Sequence, residues 1–233
     1  MTTKRTSILE RYFYLFMSLL ITFVVVYGFS FTIDQNLLHP RIKPPQVVYV
    51  HSFVFSAWLL FFILQSALVR SHNVRLHRTL GWVGAGFAVA IVVLGYTTST
   101  AVLRLAVQLR LPFPTVSFLF VEIMELVCFA VPFALAIYWR KRPDFHRRLM
   151  LIATCALTEA AFGRIPSLPN VFAPAGVDAL ILLGVLRDMI VERRIHKVYL
   201  YALPTMIFLQ IIAEYTSVHQ SSWWAGIGNF LIR

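Results

Sequence analysis

Long apolar runs with few charges constrain this chain more than any other feature, because the backbone inside a bilayer must satisfy its own hydrogen bonds and does so as helices. Runs at about 12–31, 47–69, 79–102, 116–139, 149–165, 176–191 and 197–215 read as seven helices. A membrane pass takes roughly 20 apolar residues, so seven passes consume most of the 233 residues and leave no room for a separate soluble domain. The composition agrees: 59% of residues are apolar, 13% are charged and the mean hydropathy is +0.74. These values exclude a water-soluble enzyme. The expected fold is an all-α polytopic bundle forming a single transmembrane domain over 1–233. The fifth and sixth runs are short and carry ionisable side chains, which fits tilted or partly re-entrant helices.

The net charge of +11 suggests nucleic acid in a soluble chain. Here topology explains it, and no nucleic-acid partner is expected. With the N-terminus inside, the inner segments hold Lys4, Arg5, Arg11, Arg70, Arg75, Arg78, Arg140, Lys141, Arg142, Arg147, Arg148, Arg187, Arg193, Arg194 and Lys197. The outer segments hold only Arg41, Lys43, Arg104, Arg110, Arg164 and Arg233. This asymmetry reads as N-in, C-out. The first run lacks a small-residue cleavage site after Tyr27-Gly28-Phe29-Ser30-Phe31 and reads as a retained helix. Trp223 and Trp224 suit an outer aromatic belt. Cys128 and Cys155 lie inside apolar runs and form no CxxC motif.

Each inner loop ends in a histidine beside a cation where the next helix begins: His77-Arg78, His146-Arg147 and His196-Lys197. Neutral imidazole ligates metals. Two such histidines on facing helices can hold a haem iron, with Arg78 and Arg147 receiving propionates; three can hold a zinc. The alternative is that the pairs anchor the chain to lipid phosphates.

A second constellation lies at the outer ends. Helical rise places His51, Glu122, Glu125 and Glu159 roughly 6–13 Å below the outer surface, with Arg164 and Asp178 just above. Glu122 and Glu125, spaced i, i+3, share a face. Ionisable groups at such depth line a cavity, pair together or mark a proton or ion path, and clustered carboxylates need a cation, a metal or Arg164 to compensate them. A divalent metal on His51 and the three glutamates is one outcome; an Arg164–carboxylate network that only holds the short helices is the other.

Gln65, near the inner end of the second helix, suits an interhelical hydrogen bond. Gly81, Gly84, Ala85, Ala88 and Gly95 give the third helix a small-residue face suited to close packing. Nucleotide-binding, zinc-protease and serine-hydrolase motifs are absent from the sequence. Lys197 stands at the inner edge of the last helix, a poor position for a retinal Schiff base.

The order His51-Ser-Phe-Val-Phe-Ser-Ala-Trp58, Gln65, Leu76-His77-Arg78-Thr79-Leu80-Gly81-Trp82, Arg142-Pro143-Asp144-Phe145-His146-Arg147-Arg148-Leu149-Met150, Arg164-Ile165-Pro166, Asp188 and Arg193-Arg194-Ile195-His196 resembles an uncharacterised family of bacterial multi-pass membrane proteins. That resemblance implies the bacterial inner membrane and brings no activity. His51 and His77 on one hairpin, with His146-Arg-Arg-Leu-Met150, also resemble the four-histidine membrane proteins of haem–copper oxidase maturation. This second resemblance implies haem b at His51, His77 and His146. It lacks the fourth histidine, where Glu159 and Arg164 stand instead.

Three functional readings follow. The first is a haem- or metal-binding membrane protein in electron transfer or cofactor maturation, with a quinone or respiratory-chain partner. The second is a small transporter or a proton- or cation-conducting protein using the outer cluster, and the third is a metal-dependent lipid-processing enzyme.

Overall fold

The computed structural model describes residues 8–232, so the expectations placed on Lys4, Arg5 and Arg233 lie outside the described residues. In order, the helices are α1 (Ile8–Ser30), α2 (Gln46–Arg70), α3 (Val74–Gln108), α4 (Phe118–Tyr138), α5 (Pro143–Ala156), the single turn α6 (Glu159–Phe162), α7 (Ala173–Val191), α8 (Lys197–Val218) and α9 (Ser222–Leu231). Among the described residues there is no strand. Short loops alternate the chain direction, so the starts of α3, α5 and α8 share one end of the bundle with the ends of α2, α4 and α7. That end, where the α2–α3, α4–α5 and α7–α8 loops meet, is the loop end.

Five helices, α1, α2, α3, α4 and α8, are long and apolar enough to cross a membrane. Their outward faces carry large apolar side chains such as Phe16, Phe53, Leu60, Val89 and Phe208. Apolar surface on this scale is what a bilayer, not water, covers. The protein is therefore a multi-pass membrane protein.

α5 and α7 fail that test, α5 because it is only 14 residues long and α7 because of its charges. The expected helix at 149–165 is instead α5, which starts at Pro143, breaks at Leu157-Thr158 and resumes as α6. Proline fits the first turn because its missing N–H needs no partner there, and Asp144 beside it suits the positive helix end. Every residue from Leu151 to Ala156 is buried, with α4, α7, α8 and α1 packed around the helix. A central helix meets protein on all sides, so it can hold charge where a lipid-facing helix cannot. α7 packs against it and carries the matching charges.

Dispersion and shape complementarity dominate packing here, since lipid tails are as apolar as a protein core. Trp58 of α2 meets Phe129 and Phe133 of α4 edge-on, with ring centroids 5.7 and 5.8 Å apart. The small-residue face of α3 divides its work: Gly84 lies on Phe61 of α2 and Gly95 on Leu126 of α4, while Gly81 faces open space. Gly28 is tighter, because a Cβ there would overlap the backbone of Ala161 in α6.

Two further boundaries differ from expectation. α3 begins at Val74, capped by Asn73, whose side chain accepts from the Leu76 amide, so His77 stands within the first turn and not at the loop edge. The C-terminal residues fold into α9, where Trp224 is buried and donates to the Val116 carbonyl at 2.8 Å. Trp223, 54% exposed, keeps the exposure expected of a belt residue.

Candidate functional site

At the loop end, His77 of α3 and His146 of α5 face each other with ring centroids 6.2 Å apart and planes at 77°. The Nδ1 of His146 donates to the Ala136 carbonyl of α4 at 2.9 Å in the tautomer that leaves Nε2 as a free lone pair. His77 lies beside the Gln65 backbone of α2, and its buried Nδ1 has no partner. The His146 imidazole is thus oriented by a main-chain carbonyl, as metal-ligating histidines are. Gln65 itself is buried with neither amide atom bonded, so the interhelical hydrogen bond expected of it is not formed.

The third histidine of the expected trio stands apart. His196 caps α8, accepting from the Val198 amide at 3.3 Å, and its Nε2 lies 3.5 Å from Asp144. Burial, with Arg148 nearby, pushes its pKa down despite Asp144. A zinc held by three loop-end histidines is therefore not assembled. Arg78, close enough to His77 to affect its charge, is exposed. Arg147, expected to receive a propionate, turns instead to Glu192 at 3.0 Å and to the Tyr14 ring at 5.5 Å.

Arg147 belongs to a buried ionic network that the charge count hid. Arg148, fully buried, grips Asp188 through Nε at 2.7 Å and Nη2 at 2.8 Å, and also bonds Glu192. Arg187 reaches Asp188 at 2.8 Å and Glu192 at 2.7 Å. Three guanidinium groups thus meet two carboxylates, and the Tyr14 ring of α1 takes part of the surplus charge, 5.5 Å from Arg147 and 6.0 Å from Arg187. Burial raises the Glu192 carboxyl, but Arg187 and Arg148 outweigh it and hold the group below the usual range. Reading Arg148 and Arg187 as loop cations was wrong, because both are neutralised inside the bundle.

The outer layer forms in part. Glu125 of α4 lies in the field of Glu159, Glu122, Arg164 and Glu214, and Glu159 in that of Glu214 and Asp178. Glu125, Glu159 and Gln210 of α8 border a space of about 10 Å³, close to what one water needs. Glu122 lies near Ser99 of α3, whose hydroxyl donates to the Gly95 carbonyl, and Asp178 lies near Gln210, with Oδ1 of Asp178 unpartnered. Arg164 donates to the Ala160 carbonyl and lies 4.4 Å over the Phe29 ring.

His51 forms no metal-ligand group with these carboxylates, although it lies in the field of Arg164: it stacks on Phe55 at 4.0 Å, close to Leu94, with Nδ1 unpartnered. Among the described residues no three His, Cys, Asp or Glu side chains come together as a metal-ligand group. The donor set His51, Glu122, Glu125 and Glu159 therefore does not fit one ion. Cys128 and Cys155 are free and buried.

Sequence reasoning missed Glu192, Glu214 and Gln210, and gave Asp188 a place in the motif order but no role. Glu214 carried a usable signal, a carboxylate within an apolar helical run, and Asp188 carried another, a carboxylate beside Arg187 inside a helix. No family model, curated protein or solved structure matches the chain.

Proposed function

We propose that the protein is a membrane electron carrier holding a haem-type cofactor between His77 and His146, with α5–α6 and α7 completing seven passes and the N-terminus on the cytoplasmic side of a bacterial inner membrane. The observation that carries this reading is the histidine pair. His77 and His146 would each supply one ring nitrogen to the metal of such a group. Their ring centroids lie 6.2 Å apart, which leaves room for one ion between the rings. A pair, and not a triad, suits a metal whose other ligands come from a macrocycle.

Such a group supplies one-electron chemistry when bound. The chain's own contribution is to present one ring nitrogen from each histidine, with the His146 ring held by the Ala136 carbonyl, and to offer the exposed Arg78 to an acidic substituent. Gln65 adds an amide with no protein partner. Exchange with a quinone or a respiratory-chain partner would take place at the lipid-facing sides of α2 and α3. The concentration of cations at the loop end supports the orientation.

The visible spectrum of detergent-purified protein, oxidised and then dithionite-reduced, tests the reading. A stoichiometric Soret band that sharpens on reduction and is lost in both His77→Ala and His146→Ala is expected. A featureless spectrum from haem-replete cells overturns it.

One observation favours a second reading, a proton or cation path: the small space bordered by Glu125, Glu159 and Gln210. Under it, Glu125→Gln abolishes ion flux in proteoliposomes, whereas His77→Ala leaves flux intact.

A further inference from the structure

Between α4 and α8, beside α5, lies an apolar groove of about 570 Å³, within the range that holds a ligand of several hundred daltons. Neither histidine of the pair lines it, and Cys128 alone lines both the groove and the small space at Glu125 and Glu159. Along α4 it extends from Val127 to Trp139, and along α8 from Leu209 to Lys197. Each stretch covers roughly 18 Å of helix axis, against about 15 Å of hydrocarbon in one leaflet. The groove thus runs parallel to the helices for the depth of one leaflet, starting at the loop end.

Its walls are almost wholly apolar, and its charge sits only at that end. Arg142 and Lys197 both line it there. They flank one aromatic ring, with the Arg142 guanidinium 6.0 Å and the Lys197 ammonium 5.2 Å from the centroid of Phe145. Arg142 is the N-cap of α5 and Lys197 the first residue of α8, so two positive helix ends add to the two side chains. Asp144, the acidic residue beside them, is turned to His196. Among the described residues neither Arg142 nor Lys197 has a salt-bridge partner.

We infer that this groove is a binding site for one anionic membrane lipid, with an acyl chain between α4 and α8 and the headgroup phosphate on Arg142 and Lys197. The charge pattern makes this more than a gap filled by bulk lipid. A zwitterionic lipid would occupy the same apolar space but would bring its own cation to a doubly cationic mouth.

Native mass spectrometry of delipidated protein, titrated with dioleoyl phosphatidylglycerol or dioleoyl phosphatidylcholine, tests the site. One retained phosphatidylglycerol is expected, preferred about tenfold over phosphatidylcholine. The double variant Arg142→Gln/Lys197→Gln should lose the preference, and Ala202→Trp, which fills the groove and spares both cations, should lose the lipid. The control Arg75→Gln/Arg193→Gln, which removes two other loop-end charges, should keep it. Equal retention of the two lipids by the wild type would overturn the site. So would a preference that survives Arg142→Gln/Lys197→Gln or falls equally in the control, since either points to general surface charge. Displacement of the lipid by inorganic phosphate alone would show that the groove contributes nothing.

Discussion

Arg148 and Asp188 are joined by two hydrogen bonds of 2.7 and 2.8 Å, with neither side chain exposed. They connect the central helix α5, which is too short to cross a membrane alone, to α7, which carries too many charges to do so on composition alone. Each helix supplies the charge that makes the other tolerable. Removing one partner leaves a buried charge incompletely paired, which costs about 3–5 kcal/mol. Arg148→Met and Asp188→Leu should each lower the melting temperature in detergent sharply, and the double variant should recover most of the loss. A double variant no better than the sum of the singles would show that the pair does not act as a unit.

Acid should loosen the same region through Glu192. Its carboxyl is held below the usual range by Arg187 and Arg148 against the effect of burial. A depressed folded pKa gives stability that is fully present above the unfolded value and is lost as pH falls through the folded one. Melting temperature should therefore decline as pH drops below the ordinary glutamate range, and Glu192→Gln should flatten that part of the profile while lowering the plateau at neutral pH.

Gly28 and Gly81 should respond oppositely to alanine. At Gly28 the added carbon meets the backbone of Ala161, which cannot rotate away, so Gly28→Ala should cost about 1–3 kcal/mol. At Gly81 nothing lies within 4 Å, and Gly81→Ala should be neutral or stabilising by up to about 1 kcal/mol. Paired unfolding curves in the same detergent check both signs.

The unbonded amide of Gln65 gives a prediction that depends on loading. Leucine has nearly the same volume and no polar atoms, so Gln65→Leu should stabilise the cofactor-free protein by about 1 kcal/mol or more. Where the amide serves a bound group, the same substitution should weaken retention of that group. Thermal shifts measured with and without added haem separate the two effects.

Much of the architecture was legible because lipid imposes one rule on every lipid-facing helix. The runs corresponding to α1 to α4 and α8 stand out for that reason. α5 was misplaced because its environment is protein, where Asp144, Arg147 and Arg148 fall on a helix that the hydropathy pattern started only at Leu149. The histidine pair was found because His77-Arg78 and His146-Arg147 repeat a local pattern. The ionic network was not, because Arg148 and Asp188 lie 40 residues apart and nothing local selects one partner for a buried charge. The outer layer was half found for the opposite reason: depth along a helix can be counted, but the direction of a side chain around it cannot. His51 has the right depth and a different facing.

The Arg148–Asp188 pair also imposes an order on biogenesis. Helices leave the ribosome one after another, and an arginine inside a lone segment resists insertion, by up to about 2.5–3.5 kcal/mol at a helix centre. α5 emerges with that arginine before its counter-charge exists. Its commitment to the bilayer must wait for the segment carrying Asp188, so the innermost helix of the finished bundle is among the last to settle.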